Sequence, residues 1–213
     1  MNSAPDNPPR MAVADNPVAR LFGPPARLLA ILSGWWLLGL SFLTVAEILL
    51  RKLLGVSIQG VDEIGGYTLA VVSAFGFANT LLVKGHTRVD FLLGRLPGRA
   101  RAALNALAYA LLACLAAFAA WRGWAVLSES LEFQSRANSP LQTPLWLPQS
   151  AWLAGLAVFA AAAGAMAAHA LLLLLTDWRR VNSIYGPLTV EEEVDVEVGA
   201  VLARGGAAGE ARP

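Results

Sequence analysis

Where this chain puts its charges constrains its fold more than any motif does. Four apolar blocks of about 20 residues or slightly more alternate with short clusters of Lys, Arg, Asp and Glu. About 20 apolar residues in a helix reach across the roughly 30 Å hydrocarbon core of a bilayer. In lipid each segment must satisfy its own backbone hydrogen bonds, so blocks of this length read as helices and not as strands. They cover 26–50, 64–83, 102–127 and 148–176. Of the 213 residues, 56% are hydrophobic and only 15% charged, with mean hydropathy +0.55. A soluble domain carries about a quarter charged residues. The predicted fold class is an all-α integral membrane protein with four transmembrane helices.

The expected organisation is an N-terminal arm over 1–25, a membrane domain over 26–178 and a tail over 179–213. The first block is too long for a signal-peptide core, and no small-residue cleavage site follows it, so it reads as a retained span. Met1 to Asn16 is rich in Pro and Asn and is expected to be disordered. Residues 17–27 are expected to lie along the surface as a short arm, broken at Pro24-Pro25. The tail carries Glu191-Glu192-Glu193-Val194-Asp195-Val196-Glu197 and ends in Gly and Ala. It reads as a solvated terminus, with a partner-binding tail as the alternative.

Lys and Arg near the span ends set orientation. The second connection holds Lys84, Arg88, Arg95, Arg99 and Arg101 against Asp90. The first holds Arg51 and Lys52 against Asp62 and Glu63, and the third holds Arg122 and Arg136 against Glu129 and Glu132. Arg20 and Arg27 precede the first span, and Arg179 and Arg180 follow the fourth. Both termini and the middle connection are therefore expected on the cytoplasmic side. Trp121, Trp124, Trp146, Trp152 and Trp178 stand near span ends, where amphipathic rings favour the interface. Trp35 and Trp36 lie deeper and are expected to face protein or the inner headgroup level.

Few residues in the blocks invite chemistry. Glu47 and Arg51 are four apart in the favourable order for a helical ion pair. They read either as a structural clamp, with Asp62 or Glu63 as a further partner, or as a subunit or ion contact. Asp62-Glu63 opens the second span, where acids complement the helix dipole; a docking point for an extracytoplasmic protein is the alternative. Gly66, Ala70, Ala74 and Ala78 recur every fourth residue and predict a helix-packing seam. Ala160, Gly164 and Ala168 form a weaker series. His86 and His169 are the only histidines, and His169 is expected to hydrogen-bond to a neighbouring helix rather than hold a haem. Cys114 is the only cysteine and reads as a packing residue. No metal-type spacing, P-loop, HExxH or GxSxG pattern occurs, so no catalytic residue, metal or cofactor is expected.

The charge clusters carry a resemblance. Glu47 to Arg51, Gly60-Val61-Asp62-Glu63, Gly85-His86-Thr87-Arg88-Val89-Asp90, Leu96-Pro97 and Pro144-Leu145-Trp146 follow one another in the order of a known family. Together they resemble the small membrane subunit of TRAP transporters, the DctQ type, over roughly 26–178. The resemblance implies a non-enzymatic component of a secondary transporter. Its partners would be a large multi-span permease that moves substrate with sodium and an extracytoplasmic protein that delivers an organic acid. It also implies roles for particular residues. Arg88 and Asp90 would fix the turn after the second span and His86 would cap that helix, while Arg51, Asp62 and Glu63 would be candidates for docking the binding protein. Two other readings stand beside it: an anchor subunit of a respiratory complex, and a free-standing small transporter.

Overall fold

The computed structural model describes residues 16–85, 96–186 and 198. Four long helices, each long and apolar enough to cross a membrane, are α1 (Pro17–Leu54), α2 (Val61–Leu82), α3 (Gly98–Glu132) and α4 (Trp146–Thr176). A fifth, α5 (Trp178–Tyr185), follows α4 directly. At 1.5 Å per residue α2 is about 33 Å long, close to the apolar thickness of a bilayer, whereas α1 is about 57 Å and must project beyond it.

The helix ends follow from local chemistry. Asn16 caps α1 by accepting from the Val18 N–H at 3.0 Å, and Pro17 takes the first turn, where no donor is needed. Gly55, at φ +67°, closes the same helix through its N–H to Leu50 O. Gly60 enters α2 at φ +88°, and a side chain there would collide with Leu141. At the far end of α2, Lys84 is left-handed and the Gly85 N–H reaches Thr80 O at 2.8 Å, a Schellman closure. Asp177 ends α4 and at once caps α5, accepting from the Arg179 and Arg180 N–H groups.

Two features depart from the sequence expectations. First, α1 does not break at Pro24-Pro25; it runs unbroken from Pro17. The prolines remove two donors, but the carbonyls that lose them belong to Arg20 and Leu21, both exposed. Meanwhile Val18, Ala19, Phe22 and fully buried Ala26 pack on the core and hold the segment helical. Second, residues 179–185 belong to the packed body and not to a tail, because α5 buries Val181, Asn182, Ser183, Ile184 and Tyr185. The Trp36 indole N–H donates to Thr68 Oγ1 of α2 at 2.8 Å, while the Trp35 and Trp36 rings are 69% and 62% exposed on the surface of the chain.

The four spans form a row rather than a closed square. α4 is central, packing most extensively on α3 and next on α2, while α1 packs chiefly on α2 and touches α4 little. The α2–α4 crossing is close: a Cβ added to Gly155 would lie 2.9 Å from the Ala74 Cβ. Phe77 and Phe159 meet nearby at 5.5 Å between ring centroids. On the other flank Gly123 of α3 faces Leu153 and Leu156 of α4. In the most apolar stretch of α1 only 6% of residues are buried, against 33% in α4. The outward surface carries many exposed Leu, Phe, Val and Trp side chains, which suits contact with lipid or another membrane protein.

Candidate functional sites at the two ends of the bundle

The first and third connections meet at one end. Glu47, 5% exposed, accepts from Arg51 Nη2 and from Ser57 Oγ at 3.0 Å. Arg51 itself keeps 63% of its side chain exposed. Glu63 accepts from Tyr67 OH at 2.8 Å and from Ser139 Oγ, which ties the start of α2 to the connection between α3 and α4. That connection is ordered by its own backbone. Ala137 N–H reaches Thr143 O and Leu145 N–H reaches Ser135 O, each at 3.0 Å, and Gln134 and Gln142 supply its left-handed turns. Asp62 stays exposed beside this network. Beyond the Glu47–Arg51 pair itself, Ser57 gives Glu47 a hydroxyl partner, and Asp62, one of the two acids expected, attracts the Arg51 cation.

The opposite end is closed by α5, with Tyr185 at its centre. The Tyr185 hydroxyl lies 2.6 Å from His169 Nδ1 of α4, and the Asn16 side chain at the head of α1 also bonds to it. Its ring meets Tyr109 of α3 edge-on at 4.8 Å. One residue on, Gly186 O accepts from Lys84 Nζ at the end of α2, at 3.4 Å. Asn182 adds two bonds to α3: its amide donates to Gly98 O at 2.8 Å and its carbonyl accepts from Asn105 at 3.2 Å. All four spans are therefore tied to one short helix. Tyr185 is fully buried, and this burial pushes its phenol well above the ordinary range, so it stays protonated.

The small-residue strip divides. Ala74 and Ala78 are fully buried, Ala74 against Gly155, whereas Gly66 and Ala70 are exposed. A four-residue repeat drifts about 40° per step around a helix of 100° per residue, so its two ends lie on different faces. His169 has its neighbouring-helix partner in Tyr185. Gly85 closes α2, while His86, Arg88 and Asp90 lie outside the described residues. Cys114 is exposed on the side of α3 instead of packed.

The sequence reading missed α5 and Tyr185. A signal exists: Asp177 is an N-cap residue, and Trp178, Val181, Ile184 and Tyr185 follow at helical spacing. The Arg179-Arg180 pair and the acidic run downstream disguised it as a tail.

Fold and sites together define a multi-pass membrane protein, held at both ends by side-chain ties. A family model, that of the DctQ component of tripartite ATP-independent periplasmic transporters, matches residues 40–179. The chain belongs to this family, and so is the small subunit of a TRAP transporter. The match spans α2, α3 and α4 entirely but stops before most of α5 and begins midway through α1. No curated protein and no solved structure matches the chain.

Proposed function

We propose that the chain is a fixed membrane scaffold for a large permease that takes up an organic acid with sodium, supplied by an extracytoplasmic binding protein. It lies in a bacterial inner membrane with both termini cytoplasmic and has no catalytic role. The observation that supports the scaffold role is the tie of all four spans to α5 through Tyr185, Asn182 and Gly186. A body fastened this way resists internal motion, and transport then falls to the partner. The spans also lack the discontinuous helices and midplane charges expected of a chain that conducts substrate alone.

On this reading Arg51 and Asp62 are the residues left to meet a binding protein, since Glu63 is engaged within the chain. Ala74 and Ala78 form the α2–α4 seam, and Gly66 and Ala70 are open to a partner helix. The test is reconstitution. Tagged subunit should co-purify with the permease, and liposomes should take up substrate only when subunit, permease and binding protein are all present. Uptake by the subunit alone would overturn the reading. In the same assay Asp62→Asn with Arg51→Gln should lower uptake while co-purification persists; normal uptake would remove the docking role.

A further inference from the structure

The end closed by α5 is basic. Arg99 and Arg101 open α3, Arg179 and Arg180 open α5, and Lys84 follows α2. Among the described residues the one acid there is Asp177, and its carboxylate already serves the Arg179 and Arg180 N–H groups. At the other end acids and bases are mixed: Glu47, Asp62 and Glu63 stand with Arg51, Lys52 and Arg136.

Three of the cations lie within two residues of the contact between the Trp178 indole and Gly98. The Trp178 ring lies against Gly98, so closely that a Cβ at Gly98 would sit 2.5 Å from it. The Arg179 guanidinium stands over that ring at 5.5 Å. Arg99, next to Gly98, is exposed, as are Arg179 and Arg180. Immediately before this corner the surface of α4 turns apolar: Leu171, Leu172 and Leu175 are 44%, 63% and 85% exposed. A cationic corner above an exposed leucine surface matches a molecule with an anionic head and hydrocarbon tails. Guanidinium groups bind phosphate in paired hydrogen bonds, and an indole prefers headgroup depth. A soluble anion or an acidic peptide would make no use of the leucines.

We propose that this corner binds an anionic phospholipid, and that the bound lipid holds α5 against the bundle. The lipid is the occupant, and Arg99, Arg179 and Arg180 are its headgroup contacts. The probe is the full chain in nanodiscs of phosphatidylcholine alone or with phosphatidylglycerol. Phosphatidylglycerol should raise the unfolding temperature by about 4 °C or more, because each basic residue near an anionic surface is stabilised by it. The Arg99→Gln, Arg179→Gln, Arg180→Gln variant should lose that rise, and the corresponding Lys variant should keep most of it. In detergent, native mass spectrometry should find phosphatidylglycerol retained over phosphatidylcholine, which reads binding even where a variant folds poorly. Equal unfolding temperatures in the two discs, or a full rise in the Gln variant, would overturn the proposal. So would an equal rise from inorganic phosphate in phosphatidylcholine discs, which would make the ligand a free anion. A loss of stability on neutralising Glu191, Glu192 and Glu193, matching that of the Gln variant, would also overturn it by making the acidic tail the occupant.

Discussion

The two ends of this molecule are fastened by different chemistry. At one end the ties are carboxylates with hydroxyl or guanidinium partners, and some partners stay in solvent, as Arg51 does at 63% exposure. At the other end they are amides and aromatic rings, with Tyr185 at 0% exposure and Asn182 at 5%. Exposed ion pairs are worth little, because water competes for both partners. Buried hydrogen bonds cost far more to break, because the abandoned group cannot return to water. The comparison separates an end that can trade its contacts with a partner from an end that holds the bundle together.

Tyr185→Ala should therefore have the largest effect. Removing a buried aromatic costs about 3–5 kcal/mol, which corresponds to a fall in unfolding temperature of roughly 10 °C. Thermal unfolding of the purified chain measures it. Tyr185→Phe keeps the ring and loses the bonds to His169 and Asn16, so it should cost about 1–3 kcal/mol. If the two variants fell equally, the hydroxyl and not the packing would hold this end.

Asn182→Ala comes next. It strands the buried Asn105 amide and takes a donor from the half-buried Gly98 carbonyl, at a cost of about 1–3 kcal/mol. Its stability loss should come with faster hydrogen exchange at the start of α3. An Asn182→Ala protein as stable as the native chain would remove the contrast between the ends.

Glu63→Gln should be milder: Tyr67 and Ser139 donate to different carboxylate oxygens, so the amide oxygen keeps one bond and the NH2 can donate to the other hydroxyl once it rotates. Arg51→Gln should change stability least: its side chain is mostly in water, and the buried Glu47 carboxylate keeps Ser57 and can still accept from the Gln amide. The comparison would break if Arg51→Gln proved more destabilising than Asn182→Ala.

How much of this could be read from the chain depends on the end. The spans were legible because hydropathy reports what crosses lipid: 148–176 lies within α4, and 64–83 covers nearly all of α2. The acids of the first connection were legible because charges stand out against an apolar background. Helix ends were less so, since α1 and α3 continue past the apolar stretch into segments that hydropathy scores as arms or loops. The Tyr185 hub was hidden for a related reason. Its members, Asn16, Asn105, Tyr109, His169, Asn182 and Tyr185, are scattered over an N-terminal arm, two spans and a supposed tail, and only folding brings them together. The strip beginning at Gly66 was half legible. Its spacing was right for a seam, but the drift of a four-residue repeat turned two of its members outward.

The central claim is that this subunit does its work without moving. Locking it internally tests that most directly. Asn105→Cys and Asn182→Cys, in a Cys114→Ala background, place two thiols where α3 and α5 already touch. A short thiol cross-linker can then join them in the reconstituted transporter. A fixed scaffold predicts the same rate of substrate uptake before and after cross-linking. Loss of uptake in a complex that remains assembled, restored when the link is cleaved, would show that the helices must shift and would contradict the account.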